Sequence, residues 1–270
     1  MSKALKRAER RFINGLPLER YCKLTNTMNG MRGRPHRLEA LREDGLHKVS
    51  HGDESIVICR RSRHRLYKNG IKARTDRLAD EYGLSSIPAP EGGVLIDCGA
   101  NVGELGIWAR ANGLTYHAFE PEPLEADCVD INNFDGSPRT RRQALWHQTE
   151  TLTFYSAPDS ADSSAFESRR ATTSWNVEAV RLDDTGITLS EEGPNILKLE
   201  AEGAEPEILD GATATLPKLH YIAVDCGYER GPEQRHTFID VCDRLLPLGF
   251  RPIKAELRRI TILFENTGLV

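Results

Sequence analysis

The order of apolar and polar positions divides this 270-residue chain into an irregular first third and a regular remainder. Leu5, Ala8, Phe12 and Ile13 fall on one stripe of a helix over residues 3–13, because apolar residues there recur at helical spacing. From Asn26 to His51 the chain is rich in Asn, Gly, Arg and His and has little period, which predicts loop with a short helix near Arg37–Arg42. Ser55–Cys59 (SIVIC) reads as a short apolar strand and Arg60–Asn69 as a basic loop or edge strand. A helix follows over Ile71–Tyr82, through Ile71, Leu78 and Tyr82. Pro88, Pro90, Gly92 and Gly93 then break the chain.

Beyond Gly93 the pattern becomes regular. Strands are predicted over Val94–Cys98, Thr115–Phe119, Arg141–Trp146, Ile196–Leu199, Tyr221–Val224, Arg251–Lys254 and Thr261–Phe264. Helices are predicted at about Glu104–Asn112, Pro121–Asn133, Glu205–Thr215 and Glu233–Pro247. Thr151–Ser156 alternates like an exposed strand, and the polar, Ser-rich stretch Ala157–Thr173 reads as a long loop. Strands alternating with helices at this spacing imply an α/β fold with a doubly wound, mainly parallel sheet of seven strands. In such sheets ligands bind beyond the carboxyl ends of the strands. Two parts are expected: a basic, partly helical extension over residues 1–54, and a main domain over 55–270 whose core is 93–270.

Composition changes this picture at one point. The chain is 39% hydrophobic and 28% charged, ordinary for a globular protein. Its net charge of −4 hides an asymmetry: residues 1–80 carry 20 Lys and Arg against 9 Asp and Glu, and the remainder carries 16 against 31. A module of net +11 is thus joined to a body of net −15. The basic third could attract nucleic acid, phosphates, anionic lipid or an acidic partner, or it could be a solvated arm. No apolar run reaches the length of a membrane span, and the basic N-terminus lacks the apolar region of a secretory signal. Six cysteines form no CxxC pair, which fits a reducing, cytoplasmic setting.

Candidate chemistry begins in VLIDCGANVGELGIW. A strand ends at Asp97; Gly99, Asn101 and Gly103 form a turn; a helix follows. Glycine permits positive φ and a close ligand approach, and the helix start offers free N–H groups. A dinucleotide fingerprint would need glycine at 101 and 104, where the chain has Asn101 and Glu104. Asp97 and Glu104 would repel a pyrophosphate, so the turn suits a cationic ligand such as S-adenosylmethionine. Glu120, followed by Pro121 in AFEPEP, ends the second strand where an acidic residue can accept both ribose hydroxyls.

IDCGANVGELGIWA, AFEPEP, VEAVRLDD and LKLEAEGAEPEILDGA, in that order, resemble the FkbM family of methyltransferases over Gly93 to about Phe264. The stretch YKNGIKARTDRLADEYGL also looks like that family's lead-in. The resemblance implies a class I, Rossmann-like, S-adenosylmethionine-dependent enzyme acting mainly on hydroxyl oxygens, often of sugars or polyketides. By position it implies that Asp97, Gly99, Asn101 and Gly103 hold the methionine end of the cofactor, with Glu120 at the ribose. Ala144, Leu145 and Trp146 would flank the adenine, and Ser163 and Ser164 fall where the family often has a Ser-rich stretch near the active site. The family commonly reads Lys-Ile-Asp-Val-Glu-Gly where this chain reads Lys198-Leu199-Glu200-Ala201-Glu202-Gly203.

That last segment carries four carboxylates, Glu200, Glu202, Glu205 and Glu207. Glu205 and Glu207 flank Pro206 and are expected to start a helix, where carboxylates complement the dipole. Glu200 and Glu202 would share one side if the strand continued that far, and close carboxylates raise each other's pKa. One of them is therefore expected to orient or deprotonate the acceptor hydroxyl, with Lys198 and Asp225 as neighbours. A weaker version has Glu200, Glu202 and Asp225 holding Mg²⁺; no metal ligand is predicted. The expected function is methyl transfer to a hydroxyl of a small-molecule or glycan acceptor. The alternatives are a nucleic-acid methyltransferase gripping phosphates through RRSRHRLYKNGIKAR, and a cofactor-binding but inactive scaffold.

Overall fold

The computed structural model describes residues 13–156, 163–166 and 173–269. Most of the helix expected over 3–13 and of the loop expected over 157–173 lies outside these residues. The chain forms two compact units, Met1–Thr75 and Asp76–Val270.

In the first unit helix α1 (Leu18–Met31) buries Leu18, Tyr21, Cys22 and Thr25 and packs on an antiparallel meander. The meander is β1 (Arg37–Ala40), β2 (His47–His51) and β3 (Glu54–Ile58). The helix expected near Arg37–Arg42 is therefore a strand. Arg-Leu-Glu-Ala alternates around the buried Leu38, and four residues are too few for that period to stand out. Asn26 of α1 fixes its place as a second backbone would: Nδ2 donates to the Leu38 carbonyl and Oδ1 accepts the Leu38 N–H, both at 2.8 Å. Residues Arg61–Tyr67, expected as loop or edge strand, form a 3₁₀ turn that buries His64 and Tyr67 at i and i+3. Glu54 caps helix α2 (Ile71–Glu81) by accepting the amides of Ile71 and Lys72 at 2.8 and 3.2 Å.

The second unit is built on β4 (Val94–Cys98), α3 (Glu104–Ala111), β5 (Thr115–Phe119) and α4 (Pro123–Asn133). After these come β6 (Ala144–Leu145), β7 (Glu150–Ser156), β8 (Ser163–Ser164) and β9 (Thr173–Val180). The chain continues with β10 (Asn195–Leu199), α5 (Glu205–Asp210), β11 (Tyr221–Asp225), and a hairpin of β12 (Tyr228–Arg230) and β13 (Arg235–His236). It closes with α6 (Phe238–Leu245), β14 (Phe250–Glu256) and β15 (Thr261–Asn266). The central sheet runs β14-β15-β11-β10-β4-β5, with only β15 antiparallel to its neighbours. Strand order reverses between β4 and β10, which makes that gap the topological switch point.

The described sheet has six strands rather than seven. The expected third strand is divided: Arg141 makes a single parallel bridge to Phe119, while Ala144 and Leu145 pair with β9 in a second sheet, β6-β9-β7-β8. Strand β9 was not anticipated, and the last two predicted helices are shorter, because turns follow Asp210 and the β12–β13 hairpin precedes α6. Side chains of the central strands alternate between two cores. Val94, Ile96, Cys98, Leu197 and Leu199 pack with α5, α6 and the second sheet. Leu95, Ile196, Tyr221, Ala223 and Leu263 pack with Leu78, Tyr82, Leu105 and Trp108. Among the described residues no helix is long and apolar enough to cross a membrane.

Replacing Asn26 by alanine strands the Leu38 N–H and C=O together, and should lower unfolding free energy by about 2 kcal/mol in urea denaturation. Asn26→Asp, which keeps only the acceptor, should fall between wild type and Asn26→Ala.

Candidate active site

The second core is apolar except at one end, where Asp97 and Lys198 stand side by side. Parallel register places Lys198 of β10 opposite Asp97 of β4 and, on its other side, opposite Ala223 of β11. Both charged side chains are buried, at 2% and 1% exposure, and Lys198 Nζ lies 3.0 Å from Asp97 Oδ1. Its other donors reach the carbonyls of Cys98 at 3.1 Å and Gly99 at 2.8 Å, the first residues of the glycine turn. Tyr116 completes the group by donating to Asp97 Oδ2 at 2.8 Å. Burial disfavours the ammonium, but Asp97 and Glu200 outweigh it and raise the Lys198 pKa above its ordinary value. Lys198 is thus a fixed cation that anchors the turn, with no proton to exchange near neutrality.

The turn beyond Asp97 is shaped by close approaches. Gly99 has φ +76°, and a Cβ there would lie 2.0 Å from the Glu200 carbonyl oxygen. Gly103, at φ +79°, would collide with Asn133 Nδ2 at 2.2 Å. Asn101 takes φ +51°, which Asn tolerates, and its amide donates to Glu120 Oε2 at 2.7 Å. Glu120 Oε1 accepts the Glu122 amide at 3.0 Å across the half-buried Pro121. Burial pushes the Glu120 carboxyl up to about 8, against the pull of these amides. The strand ends of β4 and β5 therefore carry a pinned carboxylate beside a positive-φ turn, as the sequence predicted. Ala144, Leu145 and Trp146 lie buried in the first core with Phe119 and Cys98, and Trp146 Nε1 donates to Glu150 at 2.9 Å.

The carboxylates after β10 differ from the expected pair. The strand ends at Leu199, and Glu202 takes φ +52°, so Glu200 and Glu202 do not share a strand face. Glu200 accepts from Arg259 at 2.7 Å and lies 3.4 Å from Lys198. Burial favours its neutral form, but Lys198, Arg259 and Tyr82 overcome this and draw its pKa down to about 2, opposite to the expected rise. Arg259 also reaches Asp225 Oδ2 at 2.6 Å, so one guanidinium ties Glu200 to the end of β11. Asp225 is 1% exposed, and burial raises its pKa. A divalent cation is a poor fit here, because Arg259 already takes oxygens of both carboxylates. Glu202 meets Ser164 instead, whose Oγ donates to the Glu202 carbonyl at 3.0 Å. Ser163 lies beside it on β8.

Glu205 starts α5, as expected, and does more than complement the helix dipole. It is buried, with Oε1 accepting the amides of Ala201 and Gly203 at 2.9 and 3.2 Å and Oε2 accepting from Thr237 at 3.0 Å. Burial pushes it up to about 7. It braces the turn holding Glu202. Glu207 keeps to the surface of α5 and grips Arg230 with both oxygens, at 2.8 and 2.5 Å.

Two functional candidates escaped sequence reasoning. Arg259 sits in the turn before β15, and only the antiparallel register Asp225–Thr261 brings it to the strand end. Glu229 lies in the β12–β13 hairpin; its carboxyl carbon is 3.6 Å from the point where a Gly227 Cβ would stand, and Asp225 Oδ1 is 3.0 Å from that point. Burial, then Asp225, Glu200 and Glu205, push its pKa well above the carboxylate range.

A glycine turn at the switch point, a strand-end acid clasping that turn and a second acidic cluster at the ends of β10 and β11 lie on the carboxyl edge of the sheet, where α/β folds bind their ligands. The methyltransferase FkbM domain matches residues 97–252, more than half of the chain, and the protein belongs to that methyltransferase family. The hexuronic acid methyltransferase AglP of Haloferax volcanii is 27% identical over 140 residues, which cover 51% of this chain and 57% of that relative. The chain thus matches little more than half the length of that relative. Among solved structures, methyltransferase FkbM from Methylobacillus flagellatus aligns over 76% of this chain and 54% of its own, with 16% identity and a TM-score of 0.44. A SAM-dependent methyltransferase from Aquifex aeolicus aligns over 75% of this chain and 90% of its own, with 13% identity and a TM-score of 0.39.

Losing Lys198 alone leaves Asp97 buried and uncompensated, so Lys198→Met should cost about 3–5 kcal/mol in chemical denaturation. Adding Asp97→Asn should recover a large part of that loss, a coupling that independent sites would not show.

Proposed function

We propose that the protein transfers a methyl group from S-adenosylmethionine to a hydroxyl oxygen of a small-molecule or glycan-type acceptor. The observation that carries this reading is the clasp between Glu120 and the Asn101 amide at the switch point. Each Glu120 oxygen receives one backbone amide and keeps a lone-pair direction for a ribose hydroxyl. Asp97 and Glu120 beside the turn favour a cationic ligand over a pyrophosphate. The cofactor, when bound, supplies an activated methyl group on a sulfonium.

The chain's own residues would align the acceptor and take its proton. Alignment of oxygen, carbon and sulfur is the main requirement of an in-line displacement. Glu202, held in a left-handed turn braced by Glu205 and Ser164, would present its side chain to the acceptor. Glu200 and Asp225, fixed by Arg259, would accept hydrogen bonds from acceptor hydroxyls. Glu200 is too weak a base to deprotonate a hydroxyl. Glu229 has the raised pKa that general-base work needs, so the proton is assigned to it rather than to Glu200. Sugars carrying a uronic acid are the first acceptors to test, given the activity named for the Haloferax relative.

The test is methyl transfer from labelled S-adenosylmethionine across a panel of hexoses and hexuronic acids, with and without Mg²⁺. Once an acceptor is found, kcat should rise with pH toward a plateau as Glu229 ionises. Glu229→Gln should lower kcat by about 10²-fold or more and flatten the profile. An unchanged profile in Glu229→Gln removes Glu229 as the base, and absence of S-adenosylmethionine binding removes the whole reading.

A further inference from the structure

The N-terminal unit holds a cavity of about 50 Å³ between the end of α1 and the 3₁₀ turn. Arg32, Arg34 and Arg65 line it together with Tyr21, Asn29 and His64. Among the described residues its lining contains no carboxylate. Four acids of this unit are engaged elsewhere: Glu19 lies near Lys23, Glu39 pairs with Lys48, Asp44 with Arg42, and Glu54 caps α2. Among the described residues, no acidic side chain pairs with any of the three arginines.

The lining is built rather than incidental. Asn29 and His64 are 2% and 3% exposed, and His36 links them, with its Nε2 at 3.1 Å from both Asn29 Nδ2 and His64 Nδ1. Arg61 lies over the Tyr21 ring at 5.0 Å and is held by the carbonyls of Asn14 and Leu16. Burial first, then His36, Arg65, His47 and Arg34, force His64 down to about 3, so it stays uncharged in a field of unopposed cations. The space admits a compact polar group. Three guanidinium forks match the three terminal oxygens of a phosphoryl group better than the two of a carboxylate. A nucleic-acid backbone would need a continuous basic track, whereas these arginines line one small cavity.

We propose that this cavity, lined by Arg32, Arg34, Arg65, Asn29 and His64, is a binding site for one phosphoryl group, borne by a small phosphorylated ligand or by free phosphate. The reading is independent of the methyl-transfer site.

The full chain is titrated calorimetrically, at low ionic strength, with inorganic phosphate, glucose 6-phosphate, glucuronate and poly-uridylate, and the His64 ring is followed by NMR. Phosphate and glucose 6-phosphate should bind and raise the His64 pKa, and glucuronate should bind at least about tenfold more weakly. Glucose 6-phosphate binding more tightly than phosphate identifies an organic monoester as the source; equal affinities identify the phosphoryl group alone. Arg32→Ala and Arg65→Ala, both at exposed positions, should each weaken phosphate about tenfold while thermal stability and S-adenosylmethionine affinity stay unchanged. No binding of either phosphate up to about 10 mM, unchanged affinity in both variants, or binding of poly-uridylate alone would overturn the proposal.

Discussion

Everything around the candidate active site depends on one buried cation. Lys198 sits at the switch point between β4 and β10, and its three donors are directed to Asp97 and to the carbonyls of Cys98 and Gly99. A lysine in that position is costly unless its partners are fixed, and here they are backbone and a carboxylate held by Tyr116. The arrangement sets the direction in which the turn leaves the sheet. Because the turn then passes within contact of the Glu200 carbonyl, residue 99 has no room for a side chain.

The same cation begins a chain of alternating charge across the sheet: Asp97, Lys198, Glu200, Arg259, Asp225. Alternation allows three carboxylates to remain at the strand ends without mutual repulsion dispersing them. It also separates the acids by pKa. Glu200, between two cations, is held ionised, while Glu120 and Glu205 are pushed upward by burial, and Glu229 by burial and neighbouring carboxylates against the pull of Arg259. Groups of the second kind favour the folded state at acid pH and lose that advantage as pH rises through their folded pKa values. Glu200 has the opposite sign and loses its contribution as pH falls toward 2. An acid with a raised pKa next to fixed, ionised ones is the pattern that acid–base chemistry requires.

The parts that were legible in the sequence are those governed by short-range pattern. Alternating strands and helices after Gly93 gave the doubly wound architecture, and Asp97-Cys98-Gly99-Ala100-Asn101 gave the turn. What escaped depends on partners distant in the chain. Arg259 looks like an exposed turn residue until antiparallel pairing of β15 with β11 carries it to Asp225. Glu205 is the helix-start acid expected, but its burial depends on Thr237, 32 residues on. The expected third strand fails in the central sheet because Ala144 and Leu145 find a longer partner in β9, an alternating strand that local polarity made resemble loop. In the first unit, the four-residue β1 depends on Asn26 of α1, a tertiary contact no periodicity could reveal.

The central claim is that Lys198 builds a cofactor site it does not itself touch. Calorimetric titration of S-adenosylmethionine into wild type and into Lys198→Met, each verified as folded by circular dichroism at the working temperature, tests it most directly. The account requires one site per chain in the wild type and affinity lower by about tenfold or more in the variant, because the Gly99 carbonyl is released. Equal affinities in the two proteins, or no binding to the wild type, would contradict it.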